Sequence, residues 1–106
     1  MDSVTEQTSA LLRTIAANRA ALGSVLSRYG VSNPRLFGSV ARGDAGAESD
    51  VDVLVDLDPT AGNPLLRVAG IGEELSRALG VRVDVVTASL LREPVSESVH
   101  RDMVAL

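Results

Sequence analysis

Twice along this chain valine alternates with polar or acidic residues, and that period of two constrains the fold more than any other feature. The first run is Ser49-Asp50-Val51-Asp52-Val53-Leu54-Val55-Asp56, and the second is Val81-Arg82-Val83-Asp84-Val85-Val86. Successive side chains of a strand leave opposite faces, so Val51, Val53 and Val55 share one face while Asp50 and Asp52 share the other. In the second run Val81, Val83 and Val85 likewise oppose Asp84. A valine face has to be covered, so the pattern predicts helices laid over it. The aspartates are then left on the opposite, open face, where they meet if the two strands are neighbours.

The rest of the chain supplies the helices. Residues from about Thr5 to Tyr29 read as one amphipathic helix, with Leu11, Ile15, Leu22 and Leu26 at helical spacing, Ser3 and Glu6 as a capping box, and Gly30 as its stop. Ser32-Asn33-Pro34 reads as a turn, and Arg35-Leu36-Phe37 as a short strand leading into Gly38. Residues 39–43 make a helix of about one turn. Leu65 to Leu79 reads as a helix with Leu65, Val68, Leu75 and Leu79 on one face, closed by Gly80. A short helical turn near Ser89-Leu90-Leu91 is broken by Pro94, and Val95, Val99, Met103 and Leu106 predict a final helix. Helix, strand, short helix, strand, helix, strand, helix is the order of an α/β sandwich: a small mixed sheet, helices packed on one face, and an open face opposite.

At 106 residues the chain has the size of one domain, 1–106, with room for one core and none for a second substrate-binding lobe. A net charge of −4 argues against a general affinity for DNA or RNA, which needs a basic stripe to replace phosphate counterions. Tyr29 and Phe37 are the only aromatic residues, too few for stacking bases. All ten basic residues are arginine, so a Walker-type phosphate loop and a Schiff-base mechanism are excluded. There is no cysteine, hence no disulfide and no thiolate metal site. The start Met1-Asp2-Ser3 carries no basic-then-apolar leader, and no apolar stretch approaches the ~20 residues of a membrane span. The expected location is the cytoplasm, without a membrane partner.

The chemistry is concentrated in Gly38-Ser39-Val40-Ala41-Arg42-Gly43 and the acids that follow. Gly38 lets the backbone approach a phosphate closely, and Ser39 at a helix start offers its hydroxyl and amide to phosphate oxygens. Arg42, about one turn on, is placed to neutralise a triphosphate. Asp50, Asp52 and Asp84 together on one face repel one another, and a divalent cation removes that penalty. Magnesium prefers such oxygen ligands and keeps waters or substrate phosphates in its other positions. Two such ions about 3.5–4 Å apart clamp an in-line displacement at phosphorus, with Asp84 helping to deprotonate an acceptor hydroxyl. A Gly-Ser turn or an Asp-x-Asp pair alone is ordinarily a surface feature; their combination with an aspartate on a later strand is the signal. Asp56 and Asp58, over 10 Å further along at ~3.3 Å per residue, read as solvated strand-end charges, and His100 as a surface residue. An EF-hand is excluded because the required glycine and glutamate do not follow Asp52.

Gly38-Ser39, ten residues, then Asp50-x-Asp52 resembles the signature of the DNA polymerase β-like nucleotidyltransferase superfamily. The fuller form, with Val83-Asp84-Val85-Val86-Thr87 at the third-carboxylate position, is similar to the minimal nucleotidyltransferases of prokaryotes and covers nearly the whole chain. The resemblance implies the polymerase β-like fold and magnesium at Asp50, Asp52 and Asp84. It also implies ATP held by Gly38 and Ser39, with Arg42 nearby. Such small proteins are commonly antitoxins paired with a helical HEPN-domain ribonuclease toxin, some of them transferring AMP from ATP to a tyrosine hydroxyl of the toxin. The implied activity is therefore that of a protein adenylyltransferase. The alternatives are an antitoxin that acts by stoichiometric binding alone, or a small-molecule transferase of the aminoglycoside type. A domain without a second lobe favours an acceptor that arrives on a partner's own surface.

Overall fold

The computed structural model describes residues 4–58, 60, 62–87 and 103–106. Helices α1 (Glu6–Ala17) and α2 (Arg19–Arg28) lead into strand β1 (Val31–Phe37), the one-turn helix α3 (Gly38–Arg42) and strand β2 (Val51–Leu57). Helix α4 (Pro64–Leu79), strand β3 (Val83–Thr87) and the short strand β4 (Val104–Ala105) follow. The sheet order is β3-β2-β1-β4. β1 runs antiparallel to both β2 and β4, whereas β2 and β3 are parallel across the α4 crossover. The result is a small mixed α/β sheet.

Register turns the period of two into two rows with different fates. Leu36, Val53 and Val85 stand side by side on the covered face. They join Leu11 and Ile15 of α1, Leu22, Val25 and Leu26 of α2, and Ile71, Leu75 and Leu79 of α4 in one core. One residue along, Phe37, Asp52 and Asp84 form the neighbouring row on the opposite face. That face is not bare throughout, since Leu54, two residues past Asp52, is buried outside the main core.

Several sequence expectations change in detail. The helix expected over Thr5–Tyr29 is two helices, because Asn18 leaves helical geometry (φ −111°, ψ 16°) and its side-chain Nδ2 donates to the Thr14 carbonyl at 2.8 Å. An asparagine that satisfies an orphan carbonyl ends a helix at little cost. The cap of α1 is Thr5, whose Oγ1 accepts from the Thr8 amide at 3.1 Å; Ser3 lies outside the described residues. Ser32-Asn33-Pro34 lies within β1 rather than in a turn. Asn33 takes a left-handed φ of 50° and the register against β2 shifts between Ser32 and Arg35, a bulge that absorbs turn-forming residues into a strand.

On α4 the buried stripe is Arg67, Ile71, Leu75 and Leu79, and Leu65 is exposed. Asn63 caps this helix by accepting from the Leu65 and Leu66 amides, at 2.9 and 3.3 Å. Arg67 is only 7% exposed, which its hydrogen bonds explain. The guanidinium donates to the Tyr29 and Gly30 carbonyls at the end of α2, and to the Asp58 carbonyl just beyond β2 at 2.6 Å. The final helix does not extend to Leu106. Val104 and Ala105 pair with Leu36 and Arg35, and the Leu106 amide donates to the Pro34 carbonyl, so the free edge of β1 claims this segment as a strand. Pro94, Val95, Val99, His100 and the turn near residues 89–91 lie outside the described residues.

Candidate active site

Gly38 follows directly on β1 and opens α3 with φ +72°, a left-handed conformation that favours glycine. A Cβ built there would overlap the Asp52 carboxylate, so the acid lies directly against the backbone at the start of the helix. Phe37, at the cap position, places no side-chain acceptor on the first amides of α3. Gly43 ends the helix in the left-handed region (φ 87°), its amide bonding the Ser39 carbonyl at 2.9 Å.

The loop after α3 is tied down from the other end of the chain. The Thr5 amide donates to the Gly43 carbonyl at 3.0 Å, and Thr5 Oγ1 donates to the Ala45 carbonyl at 2.7 Å. The Ala45 amide in turn donates to Thr8 Oγ1 at 2.9 Å. Thr8 and Ala45 are buried, so this clamp fixes the segment joining the Gly-Ser turn to the acids.

Asp52 is half-buried between Phe37 and Asp84 in the sheet. Burial pushes its carboxyl above the ordinary aspartate range, and the charges of Asp84 and Asp50 push the same way; Arg42 opposes them. Loss of water and like charge both disfavour the ionised form. Arg42 also pairs with Asp44, Nε to Oδ2 at 3.2 Å. Asp50 lies just ahead of β2 and Asp84 is the second residue of β3. The Arg82 guanidinium stands 3.6 Å from a carboxylate oxygen of each.

Of the six residues singled out in the sequence, Gly38, Asp52 and Asp84 form a contiguous group. Asp50 joins them through Arg82 and by its charge, Arg42 through its charge on Asp52, and Ser39 through its place in α3. Asp56, expected as a solvated strand-end charge, keeps a 46% exposed side chain and also accepts from Arg35 at 2.8 Å and Asn33 at 3.3 Å. Arg82 was missed, although its parity with Asp84 in the alternating run was the signal that would have found it. Thr5 and Thr8 carried no comparable signal, since their partners are about forty residues away in sequence.

Among the described residues, no three His, Cys, Asp or Glu side chains converge closely enough to enclose a metal ion. The donor set nevertheless suits a hard divalent cation, because its carboxylates repel one another and magnesium is ordinarily held by one or two carboxylates with waters and substrate phosphates completing its shell. A groove of about 320 Å³ along α4 and β3, lined by Gly72, Glu73, Ser76 and Val83, also includes Asp84. No helix among the described residues is long and apolar enough to cross a membrane.

Comparison with known proteins bears on the family and the fold. The model of the nucleotidyltransferase domain family matches residues 19–106. The protein adenylyltransferase MntA of Thermococcus cleftensis is 40% identical over 77 residues, 73% of this chain and 76% of that protein. A solved structure of a minimal nucleotidyltransferase superposes with a TM-score of 0.74 at 41% identity, covering 90% of this chain and 95% of the other. A toxin–antitoxin structure with AMP-PNP gives a TM-score of 0.57 at 25% identity, covering 70% of this chain and 60% of its own. Mixed sheet, Gly-Ser turn, aspartate row and matched family model converge: this chain belongs to the nucleotidyltransferase domain family of enzymes and has its minimal fold.

Proposed function

We propose that this protein transfers AMP from ATP to a tyrosine hydroxyl of a partner protein, a helical HEPN-domain toxin, and acts as its antitoxin with magnesium as cofactor. The observation that carries the reading is the in-register pair Asp52 and Asp84, with the Asp52 carboxylate against the backbone of Gly38 at the head of α3. Acids beside a free helix start bring cation ligands next to amides suited to phosphate. A relative named protein adenylyltransferase and a toxin–antitoxin neighbour with AMP-PNP support a protein acceptor and an adenine nucleotide.

In this reading Gly38 and Ser39 receive the triphosphate through backbone amides and the Ser39 hydroxyl, and Arg42 offsets its charge. Asp50, Asp52 and Asp84 are the residues that would hold magnesium, with substrate phosphates and waters completing its shell, and the bound ion would supply Lewis-acid stabilisation of charge at the phosphates. The acceptor oxygen attacks the α-phosphorus, the bond to the bridging oxygen breaks, and pyrophosphate leaves. Asp84 takes the hydroxyl proton, and the products are an AMP–tyrosine ester and pyrophosphate.

The test is transfer of label from α-phosphate-labelled ATP to the product of the adjacent gene. Label is expected on a partner tyrosine with the wild-type protein and magnesium, and none with Asp52→Asn. Absence of transfer, or transfer indifferent to that substitution, rejects the reading. Neutralisation of the partner at equimolar Asp50→Asn/Asp52→Asn would favour inhibition by binding alone.

A further inference from the structure

Arg82 precedes Asp84 by two residues and has its parity in the alternating run, so both leave the same face of the sheet. Its Nε lies 3.6 Å from Asp50 Oδ2 and 3.6 Å from Asp84 Oδ1, within ion-pair range but too long for a hydrogen bond. Other described ion pairs, Arg28–Glu74, Arg35–Asp56, Arg42–Asp44 and Arg77–Glu73, each join one arginine to one acid. Arg82 joins two, and they are two of the three aspartates assigned to the cation.

We infer that Arg82 is the built-in counter-ion of this site, a positioning residue that neutralises Asp50 and Asp84 when no divalent cation is bound and competes with the cation for them. The inference rests on the reading of these aspartates as cation ligands. Three carboxylates sharing a sheet face repel one another, and a guanidinium between two of them lowers that repulsion. The hold is loose by construction. The Arg82 side chain is 75% exposed, its contacts are long, and an exposed pair of this kind contributes little and is screened by salt. A divalent ion binds carboxylate oxygens directly and with twice the charge, so it displaces the guanidinium rather than being shut out. Arg82 therefore sets the cation concentration at which the site fills.

The test measures binding of Mn²⁺ alone to the full chain, without nucleotide or partner, by the electron paramagnetic resonance signal of the free ion at fixed ionic strength. Wild type is compared with Arg82→Gln, Arg82→Lys and Arg77→Gln. The last removes the same charge from the Glu73 pair on α4. Arg82→Gln is expected to bind Mn²⁺ about threefold tighter or more, a size set by the weakness of exposed ion pairs. Arg82→Lys, which keeps the charge, is expected to return toward wild type, and Arg77→Gln to stay within about twofold of it. Unchanged or weaker binding in Arg82→Gln, or equal tightening in Arg77→Gln, overturns the inference. Saturable binding by wild type alongside an unchanged Arg82→Gln rejects only the role of Arg82. No saturable wild-type binding at millimolar Mn²⁺ rejects the cation reading of the aspartates with it.

Discussion

The carboxylate of Asp52 occupies the space that a side chain at position 38 would need. Strand β2 and the start of α3 thus meet backbone to acid, and that contact exists only because residue 38 is glycine at φ +72°.

Gly38→Ala is therefore strained on two counts, a left-handed backbone and an overlap with Asp52. The left-handed backbone alone costs about 1–2 kcal/mol, and relief requires the acid to move. Thermal unfolding should show a midpoint lowered by roughly 5–10 °C. Label transfer should fall by more than about tenfold, because small misplacement at a reacting centre carries large rate penalties.

Asp52→Asn separates function from stability. The wild-type carboxylate is held against burial and the charges of Asp84 and Asp50. Replacing it with a neutral isostere should leave the metal-free protein as stable as wild type or more so at neutral pH, while transfer falls by about 10²-fold or more, the scale of a lost transition-state contact. Chemical denaturation in chelator, run beside the transfer assay, checks both halves. A large loss of stability would show that the acid is structural.

The Tyr29–Glu74 contact predicts a pH dependence. The Tyr29 hydroxyl donates to Glu74 Oε2, and Arg28 pairs with Oε1 at 2.7 Å. The tyrosine hydrogen bond, then that from Arg28, holds the Glu74 carboxyl below the ordinary glutamate range. A depressed carboxylate contributes stability above its unfolded pKa, and that contribution is lost as the pH falls through the folded value. Thermal melts should show Glu74→Gln less stable than wild type at neutral pH, with the gap closing once the pH drops below the ordinary glutamate range. The same bond raises the Tyr29 hydroxyl, so its contribution fades only in strong alkali.

Arg67→Ala removes the donors for the Tyr29, Gly30 and Asp58 carbonyls at once. A buried, hydrogen-bonded guanidinium of this kind is worth about 3 kcal/mol on truncation, through acceptors left unpaired and a void left behind. Urea unfolding should report a loss of that order. Retention of wild-type stability would mean that the α2–α4–β2 junction does not depend on it.

What the sequence determined by itself is the part governed by local periodicity. Valine and aspartate alternating in two runs put the acids on one face and the core on the other, whatever the strand order. Gly30 and Gly80 read as helix stops from the sequence, and both take a left-handed φ in the fold, 68° and 69°. Tertiary structure decided what depends on partners distant along the chain. Whether Asp84 would stand beside Asp52 turned on β2 and β3 being parallel neighbours in that register. Arg67 reads as a polar residue in a helix until its distant carbonyls appear, and Val104 and Ala105 read as helix until the edge of β1 offers them hydrogen bonds. Side-chain parity is a property of a few adjacent residues, whereas satisfaction of charges and backbone groups is a property of the whole fold.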